Sequence, residues 1–569
     1  MGSVARRVRG VGTSSRGQAG LALGLYAAIS IAYFGLPVLG HLRTSYIGSG
    51  QDPQIFIWAL RWWPYAISHG MDPFYTHVVW APVGDDVTWT SSVPGASLLA
   101  LPITETVGPT AAWNVLCLTA PASAAWVAFL LCRRLTRSFV ASLAGGFTFG
   151  YSSYELATME AHLHLSLVFL VALVAYLLVR RLQGDLGERR LVALLTVALT
   201  LQFLLSPEIF ATACGFGALA LGLAWLLEVA ERAQIVGLMR PLTFALSATA
   251  VLVSPLVVHM LTHVPPVVLN LPAAYSADLV NFVIPTPVTA LGGQHLASFS
   301  HAIAPGASGG DISEKPAYLG IPLLIILCVF AVRRWRAAST KLLVAIVLVS
   351  ALTALGPILH VDGHQVSWSP GALLADLPVL ANVIPARLIM YGDLAVAVML
   401  ALWLSSGPRR PAKWIVSALA IISLLPSGSF DGWHHTPFAA RFVASGSYRR
   451  AIGRHDAVMT LPFAYRTDGM WAQAEADMYF RLVGGALQPT PAAYAQFPIF
   501  TSLTSPTHID HAGFELRRFL DAESVAEIVV DRSQLAKWQW LLSTLHRTPQ
   551  TFADVLVYRV AASVRHSAP

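Results

Sequence analysis

A charge alternation between long apolar runs constrains this chain most. Candidate membrane spans lie near residues 20–40, 110–132, 138–152, 161–179, 191–206, 210–229, 241–262, 318–332, 342–359, 388–406 and 414–425, about eleven in all. A helix needs about 20 apolar residues to cross the hydrocarbon core. Basic groups fill every second connection. Arg6, Arg7, Arg9 and Arg16 precede the first run, and Arg133, Arg134 and Arg137 follow the second. Arg180, Arg181, Arg189 and Arg190 follow the fourth, and Arg232 and Arg240 the sixth. Arg333, Arg334, Arg336 and Lys341 follow the eighth, and Arg409, Arg410 and Lys413 the tenth. The connections between are nearly free of cations. The positive-inside rule then predicts a multi-pass protein of the plasma membrane, with a cytoplasmic N-terminus and an extracytoplasmic tail after about Pro426.

Composition agrees. Of 569 residues, 55% are hydrophobic and 12% charged, where a soluble domain is about 25% charged. The expected fold class is a polytopic α-helical membrane protein with about eleven transmembrane helices and a small C-terminal extracytoplasmic α/β domain. Residues 1–426 form the multi-pass part and 427–569 the soluble part. The net charge of +7 is spread over short loops rather than one soluble face, which argues against a nucleic-acid partner. Cys117, Cys132, Cys214 and Cys328 all lie in or beside apolar runs, so disulfides are not expected. The N-terminal "MGSVARRVRGVGTSSRG" reads as the flank of an uncleaved first helix, because the run from Gly20 to about Gly40 spans and no A-x-A site follows. No phosphate-cradling G-x-x-x-x-G-K-[ST] motif occurs.

The acids gather in the other set of connections, which makes that face the place to look for chemistry. Asp52 lies just after the first run, and Asp72, Asp85 and Asp86 follow in the same loop. The stretch "DPQIFIWALRWWPYAISHG" puts Ile55, Trp58, Trp62 and Trp63 near one helical face, which predicts a helix lying in the membrane interface. Asp52 then points into a cavity beneath it, or simply joins a structural lid. Carboxylates at membrane depth are costly and usually have a task or a partner. Glu160 and His162, with His164, open the fourth run; the two histidines diverge by about 200° on a helix, so they make a weak metal pair. Glu208, after Ser206–Pro207, is either a charge favoured by a helix N-terminus or a cavity residue. In the long Pro/Gly-rich loop 263–317, Asp278 and Asn281 are one helical turn apart, Asp311 follows, and Glu314 returns the chain to the eighth run. Arg387 is a rare cation on this acidic side. It calls for an anion: a phosphate, which suits the guanidinium fork, or one of the acids above.

An acid just after the first span, a helical outer loop, many spans and an outer tail resemble the GT-C superfamily of membrane glycosyltransferases. The chain is also similar to bacterial multi-pass envelope proteins carrying "DPQIFIWALRW", "TSSVPG", "SPE", "SADLVNFVIPTPVTALGG", "AYLGIPLL" and "IPARLIMY" at these relative places. The resemblance implies transfer of a sugar from a polyprenyl-phosphate donor to a glycan, lipid or protein acceptor on the outer face, with Asp52 as general base. The charge pattern above, rather than the resemblance, offers Arg387, Glu208, Glu160, His162, Asp278 and Glu314 as substrate-binding residues. Pro53 and Gln54 follow Asp52 where the superfamily often has a second acid, so a divalent cation, Mg²⁺ or Mn²⁺, stays an open question.

In the tail, "HDAVMTLPFAY", "VAEIVVDRS" and "VLVYRV" read as strands and "SQLAKWQWLLSTLHR" as a helix. Trp471, Glu475, Tyr479 and Arg481 have helical spacing and read as packing, with acceptor contact the alternative. A transporter or flippase is the rival class. It predicts internal repeats and ionisable groups at mid-membrane, whereas no repeat is evident and the acids sit at the ends of runs. A non-catalytic assembly protein, or a transferase of acyl or phospho groups, is a third reading.

Overall fold

The computed structural model describes residues 12–266, 272–294, 296–303, 312–372, 383–408 and 410–560. Arg6, Arg7, Arg9, Asp311 and Arg409 lie outside them. Helices occupy every apolar run read from the sequence, among them Pro109–Thr136, Phe169–Leu182, Pro207–Leu227, Met239–Thr262 and Ile389–Ser405. Among the described residues, six helical segments are long and apolar enough to cross a membrane. The chain is a polytopic helical membrane protein. The ninth run ends earlier than its hydropathy suggests. Its helix, Ala338–Ala354, stops before Gly356, whose φ of +63° lies in the left-handed region, and before Pro357, which cannot continue a helix. All four cysteines are free thiols.

Nine short strands are described: β1 (Tyr75–Thr76), β2 (Asp85–Asp86), β3 (Ile358–Val361), β4 (His364–Trp368), β5 (Ala457–Leu461), β6 (Arg481–Leu482), β7 (Val525–Asp531), β8 (Gln550–Phe552) and β9 (Val555–Arg559). The chain divides into two compact units. One comprises residues 1–36, 117–254 and 270–431, and the other residues 37–116, 255–269 and 432–569.

In the first unit, Ile389–Ser405 packs against both Ala338–Ala354 and Phe139–Gly150. Small residues allow the close approach: a Cβ on Gly145 would lie 2.8 Å from the Ala397 carbonyl oxygen and 2.8 Å from Cys132 Sγ. Trp126 donates its indole N–H to the Ala19 carbonyl, and Tyr26 its hydroxyl to that of Leu143, so the first helix is tied to its neighbours by side-chain bonds. The antiparallel β3–β4 hairpin is also in this unit.

The second unit holds a five-stranded sheet in the order β6-β5-β7-β9-β8. β6, β5 and β7 run parallel; β9 is antiparallel to β7 and to β8. All five β5 residues are buried, as a strand covered on both faces requires. β5, β7, β9 and the Leu535–Leu542 helix fall where the sequence put them, whereas β6 and β8 were not expected. The helix expected through Trp471, Glu475, Tyr479 and Arg481 stops at Glu475, and Arg481 opens β6.

The Trp-rich helix forms as Pro53–Ser68, but its aromatic face is not a lipid-facing belt. Trp58 and Trp62 are fully buried inside the unit and stack 5.2 Å apart. Each indole N–H has a protein acceptor: Trp58 donates to Gln473 Oε1 at 2.7 Å, Trp62 to the Pro73 carbonyl at 3.0 Å and Trp63 to that of Ser92 at 2.8 Å. A buried indole needs such a partner, and here the protein supplies all three. Glu475 serves packing as well. Its Oε1 accepts from the Thr110 backbone N–H at 3.0 Å, in the first turn of Pro109–Thr136, while Trp471 donates to Thr110 Oγ1 at 2.8 Å.

Glu527, on β7, gives this unit a pH dependence. Burial, reinforced by nearby Asp456, pushes its carboxyl up to about 8. A folded-state value above the unfolded one means that the folded chain binds the extra proton. Stability is then full below the unfolded carboxylate range and declines as pH rises towards about 8. The thermal midpoint should fall between pH 5 and pH 9 in the wild type. Glu527→Gln should flatten that fall, and an equal slope in both proteins would exclude the residue as its source.

Candidate functional site

In the first unit, four of the sequence-selected residues meet. Arg387 lies in the 3₁₀ turn Pro385–Leu388 that leads into Ile389–Ser405. Its Nε donates to Glu314 Oε2 at 3.0 Å, its Nη2 to Glu314 Oε1, and its Nη1 to Glu208 Oε2 at 2.8 Å. The grip on Glu314 is bidentate, the geometry that suits a guanidinium best. His162 Nε2 lies 3.7 Å from Glu314 Oε1. Arg387, Glu314, Glu160 and His162 are all buried. Of the two anions that Arg387 called for, the structure supplies the carboxylates. Five N–H groups belong to the fork, and among the described residues three of them have these partners, which leaves two.

Local sequence explains how these groups arrive. Ser206 caps Pro207–Leu227 by accepting from Ile209 N at 3.2 Å, which sets Glu208 in the first turn, where a negative charge is favoured. Glu160 lies in the last turn of the helix Ser153–Ala161, which packs on the Ile312–Glu314 turn. The fourth run does not begin as one continuous helix. His162 breaks it at φ −122°, ψ 76°, and the His162 and His164 rings sit 6.0 Å apart. Glu155 is fully buried on the same short helix. Burial holds its carboxyl well above the usual range, and neither of its oxygens has a hydrogen-bond partner among the described residues.

Asp278 is engaged elsewhere. Its Oδ1 accepts from Val280 N at 2.8 Å and Asp362 N at 3.1 Å, and its Oδ2 from Gly363 N at 2.8 Å. It braces the turn of the β3–β4 hairpin. Asn281 is structural too, accepting from Ala317 N at 2.9 Å.

In the second unit, Asp52 is the N-cap of Pro53–Ser68 and half-buried, with no side-chain capping bond. Its neighbours Gln51 and Gln54 line a cleft of about 930 Å³ together with Arg441, Arg466, Asp468 and Arg532. Sequence reasoning missed this cleft, since its walls come from distant parts of the chain.

It also missed a metal-binding pattern. His259 and His263 are four apart, the spacing that puts two side chains on one helical face. With Asp86 they form a set whose ligand atoms lie within 4.8 Å of one another. His259 Nε2 is 2.7 Å from Asp86 Oδ2. The other oxygen, Oδ1, accepts from Thr88 N at 2.7 Å and Thr88 Oγ1 at 2.5 Å, which fixes the carboxylate as a supporting shell does. Two imidazoles and one carboxylate suit Zn²⁺ better than the Mg²⁺ or Mn²⁺ that a cluster of acids would select.

Residues 22–383, well over half of the chain, match the family described as DUF6311, a domain of unknown function. The chain belongs to this family. No curated protein matches it. Among solved structures it is similar to two forms of the arabinofuranosyltransferase AftD from Mycobacteria, at 16% identity with TM-scores of 0.55 and 0.58. Those alignments cover 97% and 96% of this chain and 42% of AftD, so the DUF6311 chain spans less than half of that protein's length. It also matches the oligosaccharyltransferase AglB from Archaeoglobus fulgidus, solved with an inhibitory peptide and a dolichol-phosphate, at 12% identity and a TM-score of 0.47, over 97% of this chain and 75% of AglB. The AftD structures carry the likeness, and it is one of fold: this DUF6311 protein has a GT-C-like membrane fold.

Proposed function

We propose that this protein is a membrane glycosyltransferase that moves a sugar from a polyprenyl-phosphate donor to an envelope glycan, lipid or protein on the outer face of the membrane. The observation that carries the reading is the placement of Asp52, at the start of the Pro53–Ser68 helix and between two glutamines that line the 930 Å³ cleft, in a chain of GT-C-like fold. Asp52 takes the proton of the acceptor hydroxyl as it attacks the anomeric carbon, and the lipid phosphate departs as the leaving group. Arg387 keeps two N–H groups of the kind a lipid phosphate accepts from, while Glu208, Glu314 and His162, with Glu160 close to them in the fold, hold its side chain in place. A divalent cation held by Asp86, His259 and His263 would supply positive charge for a phosphate. Eleven spans, a cytoplasmic N-terminus and an extracytoplasmic α/β region from residue 427 onward belong to the same proposal.

The test is reconstitution of the full chain in liposomes with labelled polyprenyl-phosphate sugars, as wild type and as Asp52→Asn, with and without a chelator. Donor-dependent transfer lost in the variant supports the reading. Absence of transfer from every donor, with movement of the labelled lipid between leaflets, would replace it by transport.

A further inference from the structure

The cleft in the second unit has an unusual distribution of charge partners. Three aspartates and three arginines line it, but they are not paired with each other. Asp531 accepts from Ser533 N at 2.8 Å, Ser533 Oγ at 2.7 Å and Gln534 Nε2 at 3.2 Å. Asp554 accepts from Arg441 N at 2.8 Å and Phe442 N at 3.0 Å. Asp468 accepts from Phe438 N at 3.2 Å and lies 3.2 Å from His435 Nε2. Every carboxylate is thus occupied by backbone, hydroxyl, amide or imidazole groups of the protein. The guanidinium groups of Arg441, Arg466 and Arg532 have no carboxylate or other hydrogen-bond acceptor among the described residues; Arg466 lies only over the Tyr465 ring, 5.9 Å from its centroid. The acids hold the loops in shape, and three forks are left to face the cleft.

Position adds to this. Pro462 to Asp468 follow the carboxyl end of β5, and Arg532 to Gln534 follow that of β7, its parallel neighbour. Loops at the carboxyl ends of parallel strands are where α/β sheets bind ligands. A volume of about 930 Å³ is at the upper end for a small-molecule pocket and has room for several sugar rings. Tyr465 and Phe438 bring aromatic surface to the same walls.

We infer that this cleft binds an anionic saccharide, a glycan segment bearing carboxylate or phosphate groups, through Arg441, Arg466 and Arg532. Resting on the glycosyltransferase reading, this assigns the acceptor its chemical class, because Gln51 and Gln54 place the cleft beside Asp52. Specificity comes from the three forks, each able to take two oxygens of one anionic group.

The experiment is calorimetric binding to the detergent-solubilised full chain with no donor present. The probes are trigalacturonic acid, mannose 6-phosphate, neutral maltotriose and inorganic phosphate. The charged saccharides should bind and maltotriose should not, with affinity falling as salt rises. Arg466→Gln and Arg532→Gln should each weaken binding about 10-fold, the size of one charge-assisted hydrogen bond, with little change in thermal midpoint since both side chains are exposed. Arg466→Lys keeps charge but loses the fork and should recover binding only in part. Equal binding of neutral and charged saccharides, or unchanged binding in both glutamine variants, would overturn the inference. So would inorganic phosphate binding as tightly as the saccharides. Because no donor is present, a negative result beside intact sugar transfer sinks the cleft assignment alone; binding without any transfer sinks the enzyme and leaves an anionic-glycan receptor.

Discussion

Asp52→Asn should slow sugar transfer by about 10²–10⁴-fold, the usual contribution of a general base. The substitution is well suited to this question. Asparagine keeps the shape of aspartate and is about as good at the N-cap position that residue 52 occupies. The variant should therefore fold normally and bind donor normally. Its defect should appear in kcat, because the proton is shared only as the acceptor hydroxyl attacks. Steady-state assays in liposomes, with the thermal midpoint as a folding control, measure both quantities. A variant that retains wild-type kcat removes Asp52 as the base whatever else the protein does.

Arg387→Met should produce the largest stability loss of any single substitution considered. It leaves the buried Glu314 and the half-buried Glu208 without the guanidinium that bridges them. Removing one partner of a buried pair costs about 3–5 kcal/mol, since the remaining charge stays desolvated. The expected results are a lower folded yield in detergent and a depressed midpoint. Adding Glu208→Gln and Glu314→Gln to the same chain should restore much of the loss, because groups in one network are not additive. If Arg387→Met alone melts like the wild type, the cluster is not the structural tie that its geometry indicates.

The sequence made some of this legible and not the rest, for physical reasons. Helix positions followed from apolar length, which the bilayer imposes directly. Arg387 stood out as a cation on the wrong side of a charge pattern, and its carboxylate partners were already visible as isolated acids on that same side. The fate of the Trp face was not readable. Periodicity shows which side of Pro53–Ser68 is apolar, but not whether lipid or protein covers it, and the cover comes in part from Gln473. Asp278 looked like a binding residue because a loop acid and a turn-bracing acid have the same sequence signature; only the Asp362 and Gly363 amides distinguish them. His259 and His263 carried a readable spacing that was hidden inside a long apolar run. The arginine cleft was beyond reach, because residues 441, 466 and 532 meet only once parallel strands have paired.

The bond from Trp58 to Gln473 joins residues 415 positions apart. A ribosome adds about 5–20 residues per second, so the tryptophan helix emerges about 20–80 s before the strand-and-helix region that covers it has been made. During that interval the membrane helices are being inserted, and Trp58 and Trp62 have yet to receive their final cover. Biogenesis of this protein therefore includes a waiting period, in which bilayer headgroups or a holding chaperone must shelter an aromatic surface until the last quarter of the chain arrives.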